Sequence, residues 1–425
     1  MQTVIIAGGK GERLGLIDIP KPMVKLQNKP LLEYQIELAK KYGSKEIFIM
    51  SGYMSDVIKD YFKDGKNFNI KINHITEIFP LGTAGCLKQL ENIIDKRFMV
   101  FYGDIVMDFD IHSFIEFDKN QKESIATIII HPNNHPYDSD LIETDKNNKI
   151  TKIIKKPHNN NIYYKNLVNA GVYIFSPEIF KFIKENEYQD IAKDILPKII
   201  DKNIYGYKTA EYIKDLGTKE RFNKIKTDFE KGNINKFNKT NKRSAIFLDR
   251  DGVINKNMDT SPSLDNFQLL EKVEDAIKKI NESGFLAIVI TNQPMIAKGF
   301  ITFEETEKIH NKLETLLGEK EAYLDEIYFC PHHPKNGFKG EIKELKIECN
   351  CRKPKTGLFM KAKEDFNIDF NTSWMIGDSK CDIEAGKNIG AKTILISDKN
   401  EYDADFSAKN LNEAINLILN EGQIK

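Results

Sequence analysis

The chain has 425 residues, 40% of them hydrophobic, enough to bury sizeable cores and a length that suits two or three domains. Lys and Arg number 63 against 63 Asp and Glu, so no overall field draws the protein to nucleic acid or an anionic membrane, although a local basic pocket for a phosphorylated small molecule stays open. No apolar run approaches the roughly 18 residues of a membrane-spanning helix, and the opening segment reads as a strand instead of a secretory leader; the expectation is a soluble, cytoplasmic protein.

In chain order, apolar runs at 3–7, 46–50 and 98–102 alternate with amphipathic stretches at 31–42 and 56–62. That alternation predicts a mostly parallel sheet covered by helices. Residues 231–242 are rich in Asn and Lys and poor in apolar groups, which predicts a linker unable to bury surface of its own. Strand-like runs return at 244–248, 286–291, 373–376 and 392–396, with helical stretches at 274–283 and 304–317. The expected division is 1–231, a linker at 232–243, and 244–425, without internal repeats.

Ala7-Gly8-Gly9-Lys10-Gly11-Glu12-Arg13 follows the first strand. Glycines there let backbone N–H groups approach a phosphate. Lys21, in Pro20-Lys21-Pro22-Met23, adds a cation, and Asp104 follows a buried-type strand in Tyr102-Gly103-Asp104. With Asp215, in Asp215-Leu216-Gly217-Thr218, it makes a candidate Mg²⁺ clamp, since magnesium takes few carboxylates beside substrate phosphate oxygens.

This ordered set resembles the sugar-1-phosphate nucleotidyltransferases over about residues 1–231. The resemblance implies attack of a sugar phosphate oxygen on the α-phosphate of a nucleoside triphosphate, with pyrophosphate leaving. Arg13 and Lys21 would then neutralise the triphosphate, and Asp104 and Asp215 would hold Mg²⁺. Lys156 would meet the sugar's phosphate, and Asn169-Ala170-Gly171 would line the sugar pocket. In the substrate-binding stretch Glu77-Ile78-Phe79-Pro80-Leu81-Gly82-Thr83-Ala84-Gly85, Glu77 occupies the family's base-reading position, where one carboxylate can accept both donors of guanine's Watson–Crick edge. Residues 131–140 look like the corresponding part of heptose-1-phosphate guanylyltransferases, with a plain polar loop as the alternative. Glu12 departs from the family's usual Thr and would place an acidic charge beside a triphosphate.

Farther on, Ala245-Ile246-Phe247-Leu248-Asp249-Arg250-Asp251-Gly252 is an apolar run ending in two aspartates that can serve one phosphate as nucleophile and proton donor. Cys330, His332, Cys349 and Cys351 form Cys-x-His and Cys-x-Cys pairs whose four donors can close a tetrahedron around a structural zinc. A disulfide is the alternative, disfavoured by the odd total of five cysteines and the neighbouring histidine.

The order Asp249 and Asp251, Thr291 and Asn292, Lys353, then Gly377-Asp378 with Asp382 resembles the haloacid dehalogenase superfamily over about 244–397. The resemblance implies an aspartyl-phosphate on Asp249, with Asp251 protonating the leaving oxygen and then activating water. Mg²⁺ would be held by Asp249, Asp378 and the backbone carbonyl of Asp251. Thr291 and Lys353 would bind phosphoryl oxygens, with Asn292 and Arg352 in the same substrate-binding motifs. The cysteine pairs are similar to those of heptose-1,7-bisphosphate 7-phosphatases and histidinol phosphatases, and zinc would fix the loop that delivers Arg352 and Lys353. His333 is expected not to be a ligand and Cys381 to be a buried thiol. Pro294-Met295 and Lys298 replace the family's usual Ser-Gly and Arg.

Together the resemblances imply an α/β chain of two Rossmann-like domains, a nucleotidyltransferase and then a phosphatase with a zinc loop. Its substrates would be GTP and heptose phosphates. Rival expectations are another sugar phosphate with UTP or CTP, or a histidinol-phosphate-type phosphatase joined to a non-catalytic nucleotide-sugar sensor.

Overall fold

The computed structural model describes residues 1–9, 11, 19–159, 162–258, 262–399 and 401–421. Two compact units emerge, one of Met1–His131, Ser139–Lys156 and Leu167–Asn238, the other of Pro132–Asp138, Pro157–Asn166 and Lys239–Lys425.

In the first unit, β1 (Gln2–Ile6), β2 (Glu46–Ser51), β3 (Lys71–Thr76) and β4 (Phe98–Tyr102) pair in parallel in the order β3-β2-β1-β4. Strands covered on both faces must be apolar throughout, and Phe98, Met99, Val100 and Phe101 are all buried. Helix α1 (Leu31–Lys41) packs Leu32, Ile36 and Ala39, a single stripe at i, i+4, i+7, into the core. The strand order reverses between β1 and β4, so the glycine loop after β1 and the Gly103-Asp104 turn after β4 open onto the crevice where such sheets bind ligands.

The chain continues through β5 (Ile105–Asp108), β6 (Ala126–His131), β7 (Leu141–Thr144), β8 (Ile150–Ile154), β9 (Val168–Phe175), β10 (Ile204–Lys208) and β11 (Tyr212–Asp215). The sheet is more mixed than the sequence predicts, because β9 runs antiparallel to β4, β6 and β7, and β7 is antiparallel to β8. For β7 and β8 the connection is the reason. A tight turn joins β7 to β8, with Asp145 Oδ1 accepting from Asn147 N and Lys149 N, and so short a link cannot carry a strand back to parallel.

Residues 231–242 also differ from expectation. Asn233–Lys236 is helical, and Asn233, Ile234 and Asn238 are buried. Asparagine amides are tolerated there because they find partners: Asn238 Nδ2 donates to Asp108 Oδ1 at 2.6 Å. The division between the units falls inside this segment, after Asn238. Before it, α2 (Lys219–Glu230) starts at Thr218, whose hydroxyl accepts from Arg221 N.

The second unit has β12 (Ala245–Leu248), β13 (Leu286–Asn292), β14 (Glu326–Cys330), β15 (Trp374–Gly377), β16 (Lys392–Ile396) and β17 (Phe406–Ala408). All pair in parallel in the order β14-β13-β12-β15-β16-β17. This is the doubly wound arrangement, with its switch point between β12 and β15. Helices α3 (Val273–Ser283), α4 (Phe303–Gly318) and α5 (Lys380–Ile389) are among those covering it. Capping boxes start α4 at Thr302/Glu305 and α5 at Ser379/Asp382. Among the described residues, no helix is long and apolar enough to cross a membrane.

Candidate active sites

At the switch point of the first sheet, Gly103 N donates to Ile6 O (2.8 Å) and Leu216 N to Asp104 O (2.9 Å). The β5/β11 pairing sets Asp215 opposite Ile105, so Asp104 and Asp215 meet at one sheet edge. Lys21, buried on a short turn at Lys21–Met23, donates from Nζ to Asp104 Oδ2 at 2.5 Å. Arg221 Nη1 reaches both oxygens of Asp215 at 3.0 and 3.1 Å. Gly217 makes room for that pair, since a Cβ there would stand 2.3 Å from Asp215 Oδ1. Two carboxylates beside a glycine loop fit the sparse protein shell that magnesium takes. Arg221 escapes the sequence reading because it belongs to no motif; its only signal is its position three residues after the helix cap.

Glu77 lies beside the glycine loop, with Oε1 3.2 Å from where a Cβ on Gly8 would be. Its Oε2 accepts from Leu81 N at 2.9 Å, and burial raises its pKa with that hydrogen bond in opposition. Gly82 has φ +74°, and its missing Cβ would meet Gln189 O at 2.5 Å. The Thr83 hydroxyl is committed to the scaffold, donating to Asp190 Oδ2 and accepting from Ile191 N. On the sugar side, β9 shifts register between Asn169 and Tyr173 around Gly171 (φ +71°). Asn169 is held there, its Oδ1 accepting from Gly171 N and its Nδ2 donating to Tyr173 OH. Lys156 is exposed and donates its N–H to Asp140 Oδ1. Gly9 and Gly11 are described; Lys10, Glu12 and Arg13 lie outside the described residues.

The polar stretch at 131–140 is divided between the two units. Pro132–Asp138 belongs to the second unit, where Asn133 and Asn166 bond each other and Tyr137 OH donates to Thr315 O. Several of its polar groups are thus occupied by the protein.

In the second unit, Asp249 N donates to Ile376 O (2.9 Å), joining β12 to β15 at the switch point. Carboxylate oxygens of Asp249, Asp378 and Asp382 lie within 4.8 Å of one another. Gly252, at φ +79°, permits this, because a Cβ there would fall 1.9 Å from Asp378 Oδ2. Buried Lys353 Nζ pairs with Asp249 Oδ1 (2.9 Å) and Asp382 Oδ1 (2.6 Å) and donates to Ile290 O (2.6 Å). Desolvation, then the Asp382 charge, push Asp249 up to about 7 against the pull of Lys353. The same two causes raise Asp378 to about 6. Three carboxylates facing one ammonium suit a divalent cation. The sequence expectation gives Mg²⁺ the backbone carbonyl of Asp251 beside Asp249 and Asp378; among side-chain carboxylates, Asp382 joins the last two. The Asp251 carboxylate accepts from Arg250, Gln293 and Asn255, each at 2.8 Å.

Thr291 Oγ1 accepts from Gln293 Nε2 at 3.0 Å. Asn292 clamps the backbone of Lys353 through both its amide atoms, and Arg352 Nη1 donates to His332 O. Sequence reasoning passed over Gln293 and Asn255, although both stand beside motif residues.

The Cys/His quartet is assembled. Cys330, Cys349 and Cys351 sulfurs lie 3.2–3.6 Å apart, and His332 Nδ1 is 3.2 Å from Cys351 Sγ. Disulfide sulfurs would be about 2.05 Å apart, so these are thiols gathered around a point, with the donor set of a structural zinc site. His333 stays outside, its Nδ1 near Lys335 O. Cys381 is only half-buried, a correction, because it sits in the exposed first turn of α5 with Sγ 3.2 Å from Ser379 Oγ.

A family model described as "Nucleotidyl transferase" matches residues 2–232, and one described as "HAD-hydrolase-like" matches 350–416. The chain is similar to D-glycero-beta-D-manno-heptose-1,7-bisphosphate 7-phosphatase of Yersinia pestis, 39% identical over 157 residues that cover 36% of this chain and 81% of the relative. The protein of the same name from Haemophilus ducreyi is 35% identical over 181 residues, 41% of this chain and 97% of the relative. Among solved structures, HddC from Yersinia pseudotuberculosis is 29% identical with a TM-score of 0.47, over 54% of this chain and 99% of that one.

Proposed function

We propose, since the chain belongs to the nucleotidyl transferase family over residues 2–232 and to the heptose-1,7-bisphosphate 7-phosphatase family in its C-terminal part, that it carries out two successive steps toward a GDP-activated heptose. The first removes the 7-phosphate of D-glycero-α-D-manno-heptose 1,7-bisphosphate. The second transfers GMP from GTP to the resulting 1-phosphate and releases pyrophosphate. The observation that carries this reading is the presence in one chain of both sites, the Lys21–Asp104/Asp215–Arg221 edge and the Asp249–Lys353–Asp382 centre. One makes the sugar 1-phosphate that the other consumes.

In the phosphatase, Asp249 Oδ1 is engaged by Lys353 Nζ and Arg250 N, which leaves Oδ2 as the attacking oxygen. Lys353, steadied by Asn292, would take phosphoryl charge with Thr291. Asp251 supplies the proton to the leaving oxygen and then takes one from water. Mg²⁺ held by Asp249, Asp378 and the backbone carbonyl of Asp251, with Asp382 beside them, would reduce the repulsion between a carboxylate nucleophile and a phosphate anion. In the transferase, Lys21 with Arg13 would face the triphosphate, Asp104 and Asp215 would hold Mg²⁺, and Asn169 would orient the sugar. Glu77, partly buried and set beside Gly8, supports guanine. Zinc on the Cys/His quartet would be structural, with four protein donors and no open position. A cytoplasmic location agrees with substrates drawn from nucleotide and sugar-phosphate pools.

The test supplies the full chain with Mg²⁺, GTP and each anomer of the bisphosphate. Phosphate release from the α anomer followed by pyrophosphate release is expected; the phosphatase relatives carry the β anomer in their names, so both must be tried. Turnover of histidinol phosphate instead, or transfer from UTP or CTP in preference to GTP, would overturn the corresponding half.

A further inference from the structure

We infer that His310 is a positioning residue of the phosphatase: acting through Arg250, it holds the Asp251 carboxylate so that Oδ1, and not Oδ2, exchanges the proton with the leaving oxygen. The inference rests on the phosphatase reading of this unit, not on which sugar it takes. Arg250 stands between the two aspartates of the strand-end motif, and its side chain is 1% exposed. From there Nη1 donates to His310 Nε2 at 3.1 Å. Nη2 donates both to Asp251 Oδ2 (2.8 Å) and to Gln293 Oε1 (2.9 Å), and Gln293 Nε2 returns to the same Oδ2 at 2.8 Å.

A guanidinium has donors only, so Nε2 of His310 must present a lone pair and the imidazole must be neutral. Burial, reinforced by the Arg250 cation, holds its pKa well below the ordinary value. His310 comes from α4 and packs edge-on against Phe329, with ring centroids 5.3 Å apart, so its acceptor is fixed in place.

Two donors occupy Oδ2 of Asp251, whereas among the described residues Oδ1 receives only Asn255 Nδ2, at 2.8 Å. A carboxylate oxygen offers two lone pairs, so the one free to carry a proton is on Oδ1. In the first step an oxygen of Asp249 bonds to phosphorus, the ester P–O bond breaks with its electron pair going to the leaving oxygen, and the proton passes to that oxygen from Oδ1. In the second, a water oxygen bonds to phosphorus, the Asp249 O–P bond breaks with its electron pair returning to the Asp249 carboxylate, and the proton of the water passes to Oδ1. Without His310, Nη1 becomes a buried donor lacking an acceptor, the guanidinium turns to find one, and Oδ2 loses its clamp.

The experiment measures kcat/KM of the full chain for two esters: the best substrate among primary-alkyl sugar phosphates, whose alkoxide needs a proton to leave, and p-nitrophenyl phosphate, whose phenolate does not. For His310→Leu the alkyl ester is expected to fall about 10- to 100-fold, inside the range a general acid supplies, while the aryl ester changes less than about 3-fold. His310→Gln, whose amide oxygen can reach the place of Nε2, should restore the alkyl ester. Arg250→Lys, which cannot serve Oδ2 and His310 together, should show the same split as His310→Leu and stands in if that variant does not fold. Equal losses on both esters, or an unchanged alkyl ester, would overturn the inference while leaving the phosphatase reading intact. Wild-type chain idle on both esters would overturn the two together.

Discussion

Asp249 and Asp378 carry their protons unusually late, at about 7 and about 6, because each is drawn out of water beside the charge of Asp382. An unfolded aspartate titrates near 3.8, so between 3.8 and 7 the folded chain holds protons that the unfolded chain has released. The resulting stability is fully present below 3.8 and is lost as pH rises through 6 and then 7. A bound divalent cation favours the ionised carboxylates and opposes that loss. The Mg²⁺-induced rise in melting temperature is therefore expected to be small at about pH 5 and to grow by about pH 8. Thermal melts with and without Mg²⁺ at the two pH values check this, and equal shifts at both would contradict the carboxylate cluster as the binding site.

At the scale of elements, two departures from regular structure aim the chemistry. The first is the irregularity in β9, where Gly171 at φ +71° turns Asn169 toward Tyr173. A Cβ on Gly171 would lie 2.7 Å from both the Tyr102 ring and Ile105 Cδ1. Gly171→Ala should therefore cost about 1–3 kcal/mol in backbone strain and raise KM for the sugar phosphate more than KM for the nucleotide, as read in pyrophosphate-release kinetics. The second is the loop running from Cys330 to Cys351, which hands the chain directly to Arg352 and Lys353. Cys349→Ser should lower bound zinc, measured by metal analysis, and lower phosphate release with it, because the loop that presents Lys353 to Asp249 loses its anchor. Phosphatase activity unchanged in a zinc-free variant would show the anchor to be dispensable.

Over the whole molecule, each unit has its own sheet and its own point of strand reversal, and each candidate site sits at one of them. Loss of charge at one site should therefore leave the chemistry of the other standing. Asp104→Asn is expected to abolish pyrophosphate release while phosphate release continues, and Asp249→Asn to do the converse when sugar 1-phosphate is supplied. Loss of both activities from either substitution would contradict two separate centres.

The chemistry of this protein is legible in its sequence wherever a site is built from contiguous residues. Asp249 with Asp251, the Cys-x-His and Cys-x-Cys pairs, and Gly103-Asp104 are short strings in which neighbours along the chain are also neighbours in space. The α/β class follows from the alternation of apolar runs with amphipathic stretches. What the string leaves open is set by contacts between distant segments. Arg221 meets Asp215 across a helix cap, and His310 meets Arg250 from another element. Asp382 brings a third carboxylate to Asp249 and Asp378. The asparagines near 233–238 look like solvated linker until hydrogen bonds bury them, and β8 is antiparallel to β7 because turn length, which hydropathy does not record, limits how a strand can return. Local pattern determined which chemical groups the protein owns; strand order decided which of them touch, because side chains far apart in sequence acquire a distance only when the sheet is wound.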